Sequence, residues 1–168
     1  MSFDLSIPAV ALVFLLLLSA FFSGSETALT AASRARLTEL ERRGNWRASV
    51  ALSLTKSRER LIGALLLGNN VVNISASALA TAVLLKAFGD SGAIIASVAM
   101  TVLVLIFGEV MPKTYAIAYP ERVALAVAPI MRVLVPVFGP VVIAVEYVVK
   151  NVLRVFGVNV SNVNDVLS

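Results

Sequence analysis

The sequence predicts an all-α integral membrane protein with three spanning helices in each protomer. Hydrophobic residues make up 59% of the 168 residues and charged residues only 14%. The mean hydropathy is +0.93. Soluble domains are about half apolar and about a quarter charged, so this excess is too large for a water-soluble core. Three apolar runs also reach the length of about 20 residues that crosses the hydrocarbon layer of a bilayer.

Composition also excludes several kinds of site, because the chain has no cysteine and no histidine. Disulfides, Cys/His zinc sites, thiol nucleophiles and imidazole bases all need these residues. A formal charge of +4 is modest for a nucleic-acid-binding protein, and we expect no nucleic-acid partner. An intramembrane enzyme would have to rely on Lys113 and Glu26, so we expect the chain not to be an enzyme.

The three apolar runs cover residues 5–32, 61–85 and 92–119. The first run is too long for the core of a signal peptide, and no basic residue precedes it, so we expect it to be retained. Together with the polar stretch 34–60, the three runs define a predicted transmembrane core over residues 1–122.

The polar stretch 34–60 carries eight of the 14 basic residues of the chain. Helix-forming residues dominate it and Arg43-Gly44-Asn45 interrupts them, which predicts two short helices on the membrane surface. Excess Lys and Arg in a short loop marks the cytoplasmic side. We therefore expect a multi-pass protein of the cell membrane, with its N-terminus outside and its C-terminus in the cytoplasm. The basic residues are Arg34, Arg36, Arg42, Arg43, Arg47, Lys56, Arg58 and Arg60.

The apolar segment 123–157 contains three prolines, Pro129, Pro136 and Pro140. Each proline removes a backbone donor, which a helix inside lipid cannot easily replace. We therefore expect several juxtamembrane belt helices on the cytoplasmic side, with a fourth span as the alternative. Residues 158–168 are predicted to be a linker.

Polar residues within the apolar runs are functional candidates, because placing them in lipid costs free energy. Ser25 lies nine residues before Arg34, Asn70 lies ten after Arg60, and Glu109 lies ten before Tyr119, and these three flanking residues mark the predicted cytoplasmic boundary. At about 1.5 Å per residue, that is roughly 13–15 Å from the boundary of a hydrocarbon layer about 30 Å thick. Three separate segments therefore predict one polar plane near the middle of the membrane.

The third run carries a predicted helix break at Pro112. Because proline has no N–H, the carbonyl of Gly108, four residues earlier, loses its helical partner. The free oxygen would then lie beside the Glu109 carboxylate, an arrangement that transporters use to coordinate ions. A plain proline kink with a protonated glutamate is the alternative.

The second run places Asn70, Asn73 and Ser77 at helical spacings i, i+3 and i+7, with Asn69 beside them. Amide and hydroxyl oxygens are hard ligands that suit magnesium, calcium or sodium. Interhelical hydrogen bonding is the alternative role of such side chains in membranes.

The first run contributes Ser23, Ser25 and Glu26. On a regular helix Ser23 and Ser25 point to nearly opposite sides, so both serve one site only if the helix is distorted at Gly24. Glu26 is a second ligand, a coupling-ion site, or an ion-pair partner of Lys113 or Arg34.

Three stretches taken together resemble the transmembrane domain of the CorB/CorC and CNNM family of magnesium transporters. Residues 22–29 read FSGSETAL, residues 67–73 read LGNNVVN and residues 107–113 read FGEVMPK. They occur in the order of the family and cover essentially the whole chain.

The resemblance implies a homodimer in the lipid bilayer, with three spanning helices and a belt in each protomer. It also implies sodium-dependent export of Mg²⁺, with Na⁺ as the coupling ion, and a following cytosolic CBS module that binds ATP and magnesium. A membrane-embedded magnesium sensor or scaffold that does not transport is the alternative. The implied ligands are Ser25, Asn70, Glu109 and the Gly108 carbonyl, then Ser23; Glu26, Asn73, Asn69 and Ser77 are candidates for the coupling ion or for supporting positions.

Overall fold

The computed structural model describes residues 6–156, and this part of the chain is helical and contains no strand. The predicted linker 158–168 lies outside the described residues. In chain order the helices are α1 (Ser6–Ala31), α2 (Arg34–Arg42), α3 (Trp46–Lys56), α4 (Arg58–Phe88), α5 (Asp90–Leu103), a π-helical segment (Val104–Val110), α6 (Met111–Ala118) and α7 (Pro120–Val155).

Four helical stretches of the described chain are long and apolar enough to cross a membrane, where the sequence predicts three. The first three correspond to the predicted apolar runs, with α5, the π-helical segment and α6 forming one continuous stretch. The additional one is α7, which has 36 residues. The predicted all-α membrane architecture is therefore confirmed, and the helix count differs by one.

The segment after residue 122 forms one helix, α7, where several were predicted, and this helix contains all three prolines. Pro129, Pro136 and Pro140 lie at spacings i, i+7 and i+11, which places them on one face of the helix. That face is turned away from the buried residues of α7, Ala124, Val127, Ala128, Met131 and Val142. The missing donors therefore share one side, and the helix can curve around the bundle without breaking.

Two short helices, α2 and α3, occupy the basic stretch, and a turn joins them at Gly44. Gly44 has φ +86°, a left-handed conformation that glycine adopts without a steric penalty. The next residue, Asn45, is the N-cap of α3, and its side chain accepts a hydrogen bond from the Arg47 N–H at 3.1 Å. This N-cap satisfies one of the free donors at the start of the helix.

The helices pack around α1, which contacts α4, the π-helical segment, α6 and α7. One apolar cluster lies towards α2 and α3 and includes Phe22 and Leu65. A second, smaller cluster lies towards the α4–α5 connection and contains Ala76, Ala80 and Met100. Between these clusters the facing residues of α1 and α4 are polar, which locates the candidate site.

The connection between α4 and α5 is closed by a glycine packed on backbone. Gly89 has φ +65°, and its carbonyl accepts a hydrogen bond from the Gly92 N–H at 2.9 Å. A Cβ at Gly92 would collide with the backbone carbonyl of Leu84. This close approach sets how tightly the second and third apolar helices can pack.

We expect Gly92→Ala to lower the midpoint of thermal denaturation of the detergent-solubilised protein, because the backbone of Leu84 cannot move aside cheaply. Overpacking of this kind costs about 1–3 kcal/mol. Gly139→Ala is the matched control, because a Cβ there meets no atom within 4 Å. The control should keep or raise the midpoint, and equal midpoints for the two variants would contradict the packing described here.

Candidate functional site

The three family-like stretches meet around α1 through glycine contacts. A Cβ on Gly68 would lie 2.5 Å from the ring of Phe22, so a larger residue there would push this ring aside. Gly24 faces Pro112, with 3.5 Å between a Cβ on the glycine and the proline Cβ. Small residues at helix contacts in membranes allow this kind of close backbone approach.

Ser19 joins the polar parts of the two other stretches to α1. Its hydroxyl donates a hydrogen bond to Asn69 Oδ1 at 3.4 Å. Its Oγ also lies 2.7 Å from where a Cβ of Gly108 would be. Sequence reasoning missed Ser19, although its spacing of four residues from Ser23 places both serines on one face of α1.

These contacts fix the relative depths of the predicted ligands. Asn70 and Glu109 directly follow Asn69 and Gly108, the two residues that contact Ser19. Ser25 lies six residues further along α1, which is on the order of 9 Å nearer to α2.

Three buried oxygen atoms in this region have no hydrogen-bond partner among the described residues: Ser23 Oγ, Ser25 Oγ and Asn73 Oδ1. Both serines have no solvent exposure. An unsatisfied buried polar group costs about 1–3 kcal/mol. Oxygens held at this cost inside an apolar bundle can receive a hard cation or a bridging water.

The helix α1 continues without a break through Ser23, Gly24 and Ser25. The two serines therefore face different neighbours, and the distortion that would let both serve one site is not seen. Ser25 borders a cavity of about 320 Å³ that Tyr115 and Arg122 also line. The positive charge of Arg122 makes that cavity less favourable for a cation than the polar layer formed by Ser19, Asn69 and Gly108.

Asn70 and Ser77 are exposed on α4, whereas Asn69 and Asn73 are partly buried. Asn70 borders a separate groove of about 520 Å³ between α4 and α7, which Glu59 and Glu146 also line. The structure therefore does not place Asn70 and Ser25 in a common cavity.

Glu26 is partly buried near the end of α1, and its backbone carbonyl accepts a hydrogen bond from Thr30 at 2.8 Å. In the described part of the chain Glu26 forms no ion pair with Lys113 or Arg34. Arg34 instead donates a hydrogen bond to the Thr55 carbonyl at 3.4 Å. The ion-pair role considered for Glu26 is therefore absent from this arrangement.

The helix is irregular directly before Pro112, over the π-helical segment that contains Gly108 and Glu109. The Met111 N–H donates to the Ile106 carbonyl, five residues earlier. The N–H of residue 112 would donate to the Phe107 carbonyl in π spacing and to the Gly108 carbonyl in α spacing. Residue 112 is a proline and has no N–H. Backbone oxygen is therefore available beside Glu109, which is partly buried. Segments of π-helix inside α-helices are frequent at functional sites.

No group of three or more His, Cys, Asp or Glu residues that could hold a metal ion occurs within residues 6–156. A cation in this layer would therefore depend on neutral oxygens around a single carboxylate. Such a donor set fits hard cations, which bind carbonyl, hydroxyl, amide and water oxygens. It does not fit soft transition metals, which prefer thiolate and imidazole ligands.

The helical bundle with its buried polar layer defines the class of this chain as a polytopic membrane domain. Residues 10–168 match the family described as the cyclin M transmembrane N-terminal domain. The chain therefore belongs to the CNNM transmembrane-domain family, and the resemblance noted from its three stretches is confirmed.

The relatives are longer proteins. The chain is 36% identical to a UPF0053 protein of Haemophilus influenzae over 99% of its own length and 40% of that protein. It is 40% identical to the UPF0053 inner membrane protein YfjD of Escherichia coli over 84% of the chain and 33% of the relative. A protein of Haemophilus influenzae called polyamine export protein is 29% identical over 89% of the chain and 38% of the relative.

The contact between Ser19 and Gly108 predicts coupled effects of substitution. Gly108→Ala should lower the denaturation midpoint, because its Cβ would lie 2.7 Å from Ser19 Oγ and 3.3 Å from Ser19 Cβ. Adding Ser19→Ala removes the nearer atom and should recover part of the loss, with a coupling on the order of 1 kcal/mol. Thermal denaturation of the two single variants and the double variant measures this coupling. Additive effects would place the two residues apart.

Proposed function

We propose that this domain exports Mg²⁺ from the cytoplasm across the cell membrane in exchange for Na⁺. The observation that carries the proposal is the pair of unpartnered buried oxygens Ser23 Oγ on α1 and Asn73 Oδ1 on α4, in a bundle whose third apolar helix carries Glu109 in a π-helical segment. Family membership supports a transport role, and the all-oxygen donor set favours a hard cation.

We propose Glu109, the Gly108 carbonyl and Ser23 as ligands, with Ser25 on the cytoplasmic side of this group. Asn70 borders the groove between α4 and α7 and would join these ligands after a rotation of α4 towards α1. Mg²⁺ sheds water reluctantly and usually keeps several waters, so these few oxygens would replace only part of its hydration shell. One carboxylate leaves an occupied site with net positive charge. Sodium entering near Glu26, Asn69, Asn73 or Ser77 would then favour release of the divalent ion.

Glu109→Ala should abolish Mg²⁺ binding and Mg²⁺ flux in proteoliposomes, because it removes the only carboxylate of the proposed site. Asn70→Ala should weaken binding by about tenfold or less, because a water can replace a neutral oxygen. Isothermal titration with Mg²⁺, with and without Na⁺, measures both variants and tests competition between the ions. The control is Glu41→Ala, which removes an exposed carboxylate from α2.

Unchanged Mg²⁺ affinity in Glu109→Ala would remove this residue from the proposed mechanism. Binding without flux in the unaltered protein would favour the sensor or scaffold role instead. Because one relative is called polyamine export protein, a parallel flux assay with a polyamine belongs in the same experiment. Flux of the polyamine and not of Mg²⁺ would assign the bundle to organic cations.

We further propose that α7 is a belt around the cytoplasmic half of the bundle. Val127 and Ser25 border one cavity, while Phe138 packs against Phe22 with ring centroids 6.3 Å apart. Between these two contacts the chain advances eleven residues along α7, on the order of 16 Å, but only three residues along α1. Such a steep crossing favours a helix that lies across its neighbours over one that spans beside them.

We also propose a homodimer, followed in the longer protein by a cytosolic CBS module. The chain spans only 40% and 33% of the first two relatives, which leaves room for such a module.

The topology can be tested with single cysteines, because the chain has none of its own. A membrane-impermeant maleimide applied to intact cells should label Ser91→Cys, in the α4–α5 hairpin, and should leave Ser49→Cys in α3 unlabelled. Val155→Cys, at the last residue of α7, distinguishes a belt from a fourth span. Its side chain is 86% exposed and can therefore react with the maleimide. It should label only after permeabilisation if α7 is a belt. Labelling in intact cells would instead make α7 a fourth span.

A further inference from the structure

A cavity of about 360 Å³ lies where the end of α3 and the start of α4 meet the middle of α7. Arg60 reaches it from α4 and Arg132 reaches it from α7. Neither arginine forms a hydrogen bond or an ion pair with the described residues, and the residues lining the cavity include no acid. Two exposed arginines without a protein partner therefore border one space from different helices, and their like charges favour an anion between them.

The serines at this cavity add a further donor. Ser53 Oγ donates its hydrogen to the Val50 carbonyl at 2.7 Å, so it is already used. Ser57 is the residue before α4, yet its side chain makes no capping hydrogen bond. Its hydroxyl and the two arginines are therefore free to donate to the oxygens of a phosphate, which guanidinium groups bind with favourable geometry.

The rest of the cavity is apolar. Its wall is formed by Pro136, Pro140 and Ile143 of α7, and Gly139 leaves space because a Cβ there meets nothing within 4 Å. Arg60 is also the last basic residue before the apolar run of α4 begins at Leu61. The arginines therefore lie at the edge of the hydrocarbon layer, with an aliphatic surface beside them.

We propose that this cavity binds an anionic phospholipid, with its phosphate between Arg60 and Arg132 and an acyl chain along the wall at Gly139. Basic pockets between helices at the cytoplasmic side of membrane proteins suit this ligand. A free phosphate would satisfy the arginines and leave the apolar wall uncovered. A bound lipid would link the start of α4 to α7 and hold α7 against the bundle. The inference does not depend on which ion the bundle carries.

The test is lipid binding to the purified full chain, measured by native mass spectrometry after delipidation. Phosphatidylglycerol should bind more tightly than phosphatidylcholine, and millimolar glycerol phosphate should not displace it. Arg60→Gln and Arg132→Gln should each weaken phosphatidylglycerol binding on the order of tenfold, since each removes a hydrogen bond to a charged group. Arg42→Gln is the control, because it removes the same charge from an exposed position in α2.

Gly139→Leu provides an independent variant that leaves both charges in place. Its side chain should fill the acyl-chain space and weaken phosphatidylglycerol binding, while the denaturation midpoint in lipid-free detergent stays unchanged or rises. If Gly139→Leu, Arg60→Gln and Arg132→Gln all bind phosphatidylglycerol as tightly as Arg42→Gln does, the proposal is overturned. Displacement by glycerol phosphate would also overturn it and assign the cavity to a soluble phosphate.

Discussion

Close packing of small residues against α1 is the constraint on which the polar layer depends. Lipid tails are as apolar as leucine side chains, so helices inside a membrane associate through van der Waals contact and hydrogen bonds. Gly68 against Phe22 and Gly24 against Pro112 supply such contacts on two sides of α1. Ser19 can reach both Asn69 and Gly108 only because those contacts hold the three helices at this distance.

Unpartnered polar groups inside the bundle cost free energy of folding, and this cost indicates a functional role. A helix bundle built only for stability would fill these positions with alanine or leucine, which leave no oxygen unpaired. This bundle instead keeps Ser23, Ser25 and Asn73 with unpartnered oxygens in its buried interior. It also places Glu109 in a π-helical segment, directly after the Gly108 that contacts Ser19. Departures from local rules of this kind concentrate at functional sites.

Charge is arranged differently at the end of the bundle that carries α2 and α3. The Arg36 guanidinium lies 3.7 Å from the Glu121 carboxylate and links α2 to the start of α7. Because Arg36 is well exposed, this pair adds little stability. Arg60 and Arg132, by contrast, share a cavity without an acid. Among the described residues, α7 therefore meets the other helices through this ion pair and through a cavity suited to an external anion.

Local patterns in the sequence were sufficient to predict the membrane class, the three apolar helices, the turn at Gly44 and the irregularity before Pro112. These features depend on residues within a few positions of each other, so composition and spacing determine them. The contacts of Ser19, the separation of Ser25 from Asn70 and the continuity of α7 depend on how distant helices pack. Helix rotation and side-chain packing set those features, and a single sequence carries no direct signal for either.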